Sequence, residues 1–229
     1  MTALARLPAA LVELQNRAKS RPDFHPETGP VLHADLYDYI LTNQDKGSGV
    51  IEIGCYKGAS SIVLAYACRE LQMPFFTIDI NTAFLDYTRN LLFELDLAKH
   101  TTFFLGSMPQ FAESIQLQDN PVLAFVDSDH SYSAVITDIQ AIYRLNRQPY
   151  AIAFHDFSLR SFKYENIAVD KAIYDTFGAN VPIKRIGVQF DEQPTPSREN
   201  PSPSGSYWWD YNGSEAAIVE IGLSDRLRI

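Results

Sequence analysis

Basic residues, cysteines and long apolar runs are all scarce in this sequence. Lys and Arg number 19 against 28 Asp and Glu, a net charge of −9, so the surface repels phosphate backbones and anionic lipids, and neither nucleic acid nor a membrane is an expected partner. The two cysteines, Cys55 and Cys68, are expected to be free thiols in a reducing compartment, the cytoplasm. No apolar stretch approaches the ~20 residues that span a bilayer, and the N-terminal residues make a poor signal peptide.

The glycine pattern of dinucleotide-binding turns, G-x-G-x-x-G, is also missing. Residues 49–61 read GVIEIGCYKGASS, an apolar strand that ends near Gly54, a turn, and a helix that begins after Gly58. Tyr56 stands in the middle of that turn, where a pyrophosphate would need glycine for close approach of the backbone. The turn therefore favours an adenosine ligand without phosphates.

What the sequence does contain is a regular alternation of apolar runs and helical segments. Strands are expected at 49–54, 74–80, 101–106, 121–127, 149–156, 183–190 and 216–222, and helices at 33–44, 59–71, 84–99, 109–116, 132–146 and 166–177. The strands are continuous apolar runs, which is typical of parallel strands covered on both faces. The last two strands have no helix between them and predict an antiparallel pair at one edge.

This alternation predicts an α/β fold with a doubly wound, Rossmann-like, mostly parallel seven-stranded sheet. The length, 229 residues, suits one globular domain. Residues 1–48 are expected to form a helical extension packed on the core, and residues 49–229 the ligand-binding domain.

Acidic residues stand at the predicted carboxyl ends of four strands, where open α/β sheets bind ligands. These residues are Glu52, Asp79, Asp127 and Asp156. Carboxylates so placed repel one another and are costly to desolvate, so their presence indicates a ligand that offers hydroxyls, an amine or a metal. Asp79 follows Gly58 by 21 residues, the expected position of a carboxylate that accepts hydrogen bonds from a ribose diol.

Two motifs resemble those of a known family. EIGCYKGAS (52–60) resembles motif I of class I S-adenosylmethionine-dependent methyltransferases. It matches the version found in the metal-dependent O-methyltransferases of the catechol and caffeoyl-CoA types and in antibiotic- or sugar-tailoring relatives, where an aromatic residue replaces the middle glycine. FVDSDHSY (125–132) resembles the acidic motif after the fourth strand of the same group. The resemblance covers about residues 49–157 and implies O-methylation of a small-molecule hydroxyl with S-adenosylmethionine as the cofactor.

The resemblance also implies a role for each matching residue. Asp79 would hold the ribose, and Asp127 would lie at the methionine end of the cofactor. The turn around the cofactor would consist of Gly54, Tyr56, Gly58 and Ser60. The residues that border the adenine would be Ile80, Gly106, Ser107 and Met108. In chain order the expected cofactor-binding residues are Glu52, Gly54, Tyr56, Gly58, Ser60, Asp79, Ile80, Gly106, Ser107, Met108 and Asp127.

Catalysis is assigned by the same resemblance to Asp127 and His130, and His130 matches the position of the family's basic residue. A Mg²⁺ site is implied at Asp127 and Asp156, with His155 as a further ligand. Phe157 departs from the family pattern, because the third metal ligand, often Asn, would follow Asp156 directly.

Other interpretations remain open from the sequence. The chain could be a non-catalytic binding scaffold that keeps the fold, or a nicotinamide-dependent oxidoreductase, although the missing middle glycine counts against the latter. The methyl acceptor could be a catechol, a sugar, a polyketide or another small metabolite, and the chain could form a homo-oligomer. The long connection 191–215, with four prolines, is either a binding loop or a surface excursion. Asp138, on a predicted helix, is expected to be solvated.

Overall fold

A computed structural model of the chain describes residues 6–164, 166–187, 196–209 and 214–221. In chain order its strands are β1 Val50–Ile53, β2 Phe75–Asp79, β3 Thr101–Leu105, β4 Leu123–Val126, β5 Ala151–His155, β6 Leu159–Ser161, β7 Lys184–Ile186, β8 Ser206–Trp208 and β9 Ala216–Glu220. The α-helices are α1 Ala9–Lys19, α2 Pro30–Thr42, α3 Ala59–Glu70, α4 Thr82–Glu94, α5 Met108–Ser114, α6 Tyr132–Arg144 and α7 Val169–Phe177.

Within these residues the main sheet has seven strands in the order β3-β2-β1-β4-β5-β9-β7. The first five of these pair in parallel, and β9 runs antiparallel to both β5 and β7. The predicted doubly wound sheet with an antiparallel edge pair is therefore confirmed. The strand order reverses between β1 and β4, which opens a crevice above their carboxyl ends.

Helices cover both faces of the sheet and form two hydrophobic clusters. One cluster joins α1, α2, α3 and α4 to the sheet, and it buries Leu11, Leu32 and Leu36 completely. The other joins α5, α6 and α7 to the opposite face around Phe111, Ile139 and other apolar residues. The helices of the N-terminal 48 residues thus share a core with α3. The division at residue 48 remains a prediction.

Burial of the strands follows their place in the sheet. All residues of β1, β4 and β5 are buried, as expected for strands covered on both faces. Coverage on both faces was expected for β3 as well, and this prediction is wrong, because the residues of β3 are partly or fully exposed. This strand lies at the edge of the sheet, where fewer helices cover it.

One local prediction was wrong for an identifiable reason, and one small sheet was not predicted. The helix expected to reach residue 99 ends at Glu94, because Asp96 adopts a left-handed backbone conformation with φ 57°. A separate two-stranded sheet, β6 paired with β8, was not predicted. It gives residues 196–209 of the long connection a defined place. Residues 188–190 and 222 of the last two expected strands lie outside the described residues.

Both cysteines are buried and free, as expected. Among the described residues, none of the helices combines the length and the apolar character needed to cross a bilayer.

Candidate functional site

The turn between β1 and α3 adopts the backbone conformation of a glycine turn without the glycine pattern. Gly54 has φ 87°, and a Cβ there would collide with the backbone of Asp127 at the end of β4. Tyr56, with φ 43°, occupies the left-handed region that glycine normally supplies. Its ring packs edge-on against Phe84, with 4.8 Å between the centroids. The turn thus carries a fixed aromatic ring.

Asp79 holds this turn from the end of β2. Its Oδ2 accepts hydrogen bonds from the backbone N–H of Cys55 (3.0 Å) and of Tyr56 (3.4 Å), and its Oδ1 accepts one from Asn81 (2.8 Å). Each carboxylate oxygen has two lone pairs, so Oδ1 retains capacity for one hydroxyl of a ligand. Asp79 lies in the wall of a cavity rather than in the interior.

This first cavity has a volume of about 740 Å³ and lies above the carboxyl ends of β1, β2, β3 and β4. All expected cofactor-binding residues line it except Glu52 and Gly58. Ile80 and Met108 border one part of it, and the Ile80 side chain is 77% exposed. Gly58 instead forms the N-cap of α3, with φ 78°.

Glu52 lies beneath the turn, which corrects its expected place among residues that touch the cofactor. It is fully buried and accepts hydrogen bonds from the hydroxyls of Ser60 (2.7 Å), Ser61 (2.6 Å) and Thr77 (2.8 Å). Burial raises the pKa of Glu52 to about 7, against the effect of the three hydroxyls. Its carboxyl therefore ties β1, β2 and α3 together.

Asp138 is a second correction, because it is buried and not solvated. It accepts a hydrogen bond from the Ser128 hydroxyl (2.7 Å) and lines the first cavity. Burial raises the pKa of Asp138 to about 6. Its spacing from the buried residues Val135 and Ile142 puts it on the inner face of α6, a signal that was available in the sequence.

A second cavity, of about 830 Å³, lies on the other side of Asp127 and His130. The two cavities share both of these residues, together with Glu27, Thr28 and Ala59. The N-terminal helices form one wall of the second cavity and the segment that contains β8 forms another. His155 and Asp156 line this cavity but not the first one. Asp127 and His130 therefore lie where the two cavities meet.

Two histidines and three carboxylates form a cluster at this junction. His155 Nδ1 lies 2.7 Å from Asp127 Oδ1, and His155 Nε2 lies 3.3 Å from Glu215 Oε1. His130 Nε2 lies 3.5 Å from Asp127 Oδ1, and His130 Nδ1 lies 3.2 Å from Asp156 Oδ2. The structure thus brings together all the residues expected to be catalytic or metal-binding. It adds Glu215, which sequence reasoning missed because this residue is the last one of the long connection 191–215, to which no helix or strand was assigned.

The charges in this cluster stabilise one another. Burial alone would raise the pKa of Asp127, but the two histidines outweigh it and lower that pKa to about 2. Burial would lower the pKa of His155, but Asp127 and Asp156 outweigh it and hold the pKa well above 6.5. The pKa of His130 is raised in the same way, chiefly by Asp127. Burial and Asp127 raise the pKa of Glu27, at the mouth of the site.

Asp156 carries backbone strain at this site. Its φ is 53°, in the left-handed region that a residue other than glycine adopts at a cost of about 1–3 kcal/mol. Strain of this kind concentrates at functional sites. The next residue, Phe157, is fully buried in the hydrophobic core and offers no ligand atom.

The donor atoms do not match the expected Mg²⁺ site. Among the described residues, Asp127, His130 and His155 bring one possible ligand atom each within 4.8 Å of one another, and Asp156 is not part of that set. The set holds two imidazole nitrogens and one carboxylate oxygen, whereas Mg²⁺ prefers six oxygen ligands.

Residues 51–157 match a protein family described as a methyltransferase domain. No curated protein matches the chain. Among solved structures the fold resembles an O-methyltransferase from Bacillus cereus in complex with S-adenosylhomocysteine, with a TM-score of 0.58, 15% identity, and coverage of 93% of this chain and 90% of that one.

Two further structures have the same fold. One is the O-methyltransferase TomG from Streptomyces achromogenes, involved in tomaymycin synthesis and solved with S-adenosylmethionine, with a TM-score of 0.53, 14% identity, and coverage of 93% of this chain and 90% of that one. The other is a methyltransferase from Podospora anserina bound to S-adenosylhomocysteine, with a TM-score of 0.53 and 17% identity. That match covers 65% of this chain and 62% of the Podospora protein, less than two thirds of its length.

The matched segment and the fold together support a class I S-adenosylmethionine-dependent methyltransferase domain. Among its structural neighbours it resembles the O-methyltransferases. All three of these neighbours were solved with S-adenosylmethionine or its demethylated product bound.

Proposed function

We propose that the chain transfers a methyl group from S-adenosylmethionine to a hydroxyl of a small, polar acceptor. The observation that carries this proposal is the meeting of two cavities at Asp127 and His130. The cofactor would occupy the first cavity, with its ribose on Asp79 and its adenine between Ile80 and Met108. The acceptor would occupy the second cavity.

The reaction needs alignment and the removal of one proton. As the acceptor oxygen forms its bond to the methyl carbon, the bond from that carbon to the cofactor sulfur breaks, and the hydroxyl proton must leave the oxygen. Asp127 and His130 face both cavities, so an acceptor hydroxyl at the junction lies beside groups that can orient it and accept its proton.

The lining of the second cavity favours a polar acceptor. Ser202, Ser204 and Ser206 contribute hydroxyls on one side, and Lys19 and Glu27 contribute charges on the other. The serine hydroxyls already bond to one another, at 2.7 Å and 3.4 Å. An apolar planar acceptor would, however, desolvate the charges of Lys19 and Glu27 without giving them a partner, at a cost of about 1–3 kcal/mol for each one that it buries. An acceptor with several hydroxyl groups would satisfy them.

Binding of S-adenosylhomocysteine, measured by calorimetry, tests the cofactor half of this proposal. Asp79→Ala should weaken the affinity by about 1–3 kcal/mol, because the hydrogen bond from the ribose to the charged carboxylate is lost. Asp86→Ala, which removes an exposed carboxylate of α4 that lies outside the cavity, should leave the affinity unchanged. An unchanged dissociation constant for Asp79→Ala would place the ribose elsewhere.

A turnover assay distinguishes a methyltransferase from a binding scaffold and from an oxidoreductase. Incubation of the full chain with S-adenosylmethionine and a panel of polyhydroxylated compounds should release S-adenosylhomocysteine for at least one member. Tight cofactor binding without turnover on any hydroxyl acceptor would favour a binding scaffold. Binding of a nicotinamide dinucleotide instead would favour an oxidoreductase.

A further inference from the structure

Five residues line both cavities and so surround the junction at which the proposed reaction would take place. They are Glu27, Thr28, Ala59, Asp127 and His130. Ala59 has no group that accepts a proton, and the Thr28 hydroxyl contacts His33 Nε2 at 2.7 Å. If a side chain at the junction takes the proton of the acceptor hydroxyl, it is Asp127, His130 or Glu27.

Asp127 and His130 are already engaged with other charged groups. Asp127 Oδ1 lies 2.7 Å from His155 Nδ1 and 3.5 Å from His130 Nε2. The second ring nitrogen of His130 lies 3.2 Å from Asp156 Oδ2. A ring nitrogen that faces a carboxylate does not face the acceptor as well, because each one makes a single hydrogen bond in the plane of the ring. These contacts suit Asp127 and His130 for orienting the acceptor.

Glu27 differs from these two residues because its carboxylate has no bonded partner. Among the described residues it makes no hydrogen bond and no ion pair. Partial burial raises the pKa of Glu27 above 4.5, the nearby carboxylates add to this effect, and the histidines oppose it. The charged groups around Glu27 are Asp127, Asp156, His155, His130 and, on α1, Lys19. A carboxylate with free lone pairs and a raised pKa is a better proton acceptor than one at its ordinary pKa.

This carboxylate is carried by a strap, residues 23–29, that is held at both ends. The Asp23 carbonyl accepts a hydrogen bond from Lys57 Nζ (2.6 Å), and Lys57 belongs to the turn between β1 and α3. The backbone N–H of Gly29 donates to Glu215 Oε1 (2.6 Å), beside the histidine cluster. One anchor thus lies at the first cavity and the other at the second, which fixes the strap across the junction.

We propose that Glu27 is the general base of the methyl transfer and takes the proton of the acceptor hydroxyl, while Asp127 and His130 orient that hydroxyl. This inference rests on the function proposed above. The acceptor oxygen forms its bond to the methyl carbon, the bond from carbon to sulfur breaks with its electron pair left on sulfur, and the proton moves to a Glu27 oxygen. The positive sulfonium and the negative carboxylate are neutralised together. The Glu27 side chain is exposed at the cavity mouth, so the proton can then leave to solvent.

A carboxylate beside the transferred methyl group should distinguish the cofactor from its product. S-adenosylmethionine has a positive sulfonium, S-adenosylhomocysteine has a neutral thioether, and the two molecules are otherwise the same. Attraction between unit charges a few ångströms apart in a partly hydrated cavity should favour S-adenosylmethionine by about tenfold. This preference can be measured without any acceptor.

Calorimetry with both ligands at neutral pH tests the position of Glu27. Glu27→Gln keeps the shape of the side chain and removes its charge, so it should weaken S-adenosylmethionine binding by about tenfold and leave S-adenosylhomocysteine binding unchanged. Glu13→Gln is the matched control, because it neutralises an exposed carboxylate of α1 that lines neither cavity. Equal weakening for both ligands would place Glu27 at the amino acid end of the cofactor. Unchanged binding of both would place it away from the methyl group, and either result overturns the proposal.

Turnover and its pH dependence test the chemistry, with the panel member that the wild type methylates fastest as the probe. Glu27→Gln should lower kcat by about 10²–10⁴-fold, and Glu27→Asp, which keeps a carboxylate on a shorter side chain, should retain part of the activity. Wild-type kcat should rise with pH through the pKa of Glu27, because only the ionised form accepts a proton. That rise should be absent from the residual activity of Glu27→Gln. A normal kcat or an unchanged pH profile in this variant would remove Glu27 from the mechanism.

The outcomes separate this inference from the proposed function. Turnover that is equally fast in the wild type and in Glu27→Gln would leave the proposed function and exclude Glu27 as the base. A wild type that prefers S-adenosylmethionine through Glu27 but methylates no member of the panel would contradict the proposed function, and with it the proton transfer.

Discussion

Glu52 makes the stability of the protein depend on pH. Its pKa is raised from 4.5 to about 7 by burial, so the folded chain holds a proton that the unfolded chain releases. This contribution is fully present below pH 4.5 and is lost as the pH rises through about 7. The free energy of unfolding of the wild type, relative to that of Glu52→Gln, should therefore fall by roughly 3 kcal/mol across this range.

Denaturant unfolding of both proteins at a series of pH values measures this difference. Subtracting the variant removes the titration of the histidine cluster, which both proteins share. A difference that stays flat from pH 4.5 to 7.5 would mean that Glu52 is ionised in the fold at its ordinary pKa.

Sequence reasoning located most single residues but not their partners. Tyr56 was recognised as unusual from its place in the turn, and the structure adds that its backbone has the left-handed conformation of the glycine it replaces. His130 and His155 were recognised from their places at strand ends. Which nitrogen of each ring faces which carboxylate depends on side chains from distant parts of the chain, such as Glu215, and no local pattern contains that information.

At the scale of the elements, an ion pair joins β6 to α7. Arg160 in β6 donates two hydrogen bonds to Asp170 in α7, at 2.7 Å and 2.9 Å. Arg160→Ala should release the β6–β8 sheet, since Asp170 is mostly buried and loses its partner. Hydrogen exchange should become faster at residues 159–161 and 206–208, with cofactor affinity unchanged.

Lys171→Ala is the matched control for this element. Lys171 makes an exposed ion pair with Asp175 on the same helix, and exposed pairs contribute about 0–1 kcal/mol. Unchanged exchange in Arg160→Ala would show that the apolar contacts of β6 hold it without the ion pair.

The long elements were predictable and the short ones were not. The strands of the main sheet and the helices between them follow from apolar runs and helical periodicity, since each buries a continuous face. β6 and β8 have three residues each and mixed polarity. They form because tertiary contacts bring residues 159–161 beside 206–208, and their own sequences specify little.

At the scale of the whole molecule, removing residues 1–48 should abolish cooperative folding. Leu11, Leu32, Leu36 and Ile40 are completely buried in the cluster that they share with α3. Each contributes roughly 1.5–3 kcal/mol, and together they approach the 5–15 kcal/mol by which proteins of this kind are stable. Solubility and thermal melting of the truncated chain measure the effect.

Leu11→Ala is a milder change for comparison. It should lower the free energy of unfolding by about 2–5 kcal/mol and leave the chain folded. A truncated chain that melts cooperatively and binds S-adenosylhomocysteine would show that residues 49–229 form an independent domain.

The main sheet lines the first cavity, whereas β8, from the separate small sheet, contributes to a wall of the second. Natural selection can therefore change the wall that contains β8 without changing the strand ends that line the first cavity. Substitutions at Ser202, Ser204 or Ser206 change the chemistry offered to one ligand without disturbing Gly54 or Asp79, which the geometry of the central strands constrains. On the function proposed above, descendants of this gene can diversify in the acceptor that they modify while inheriting the same methyl donor.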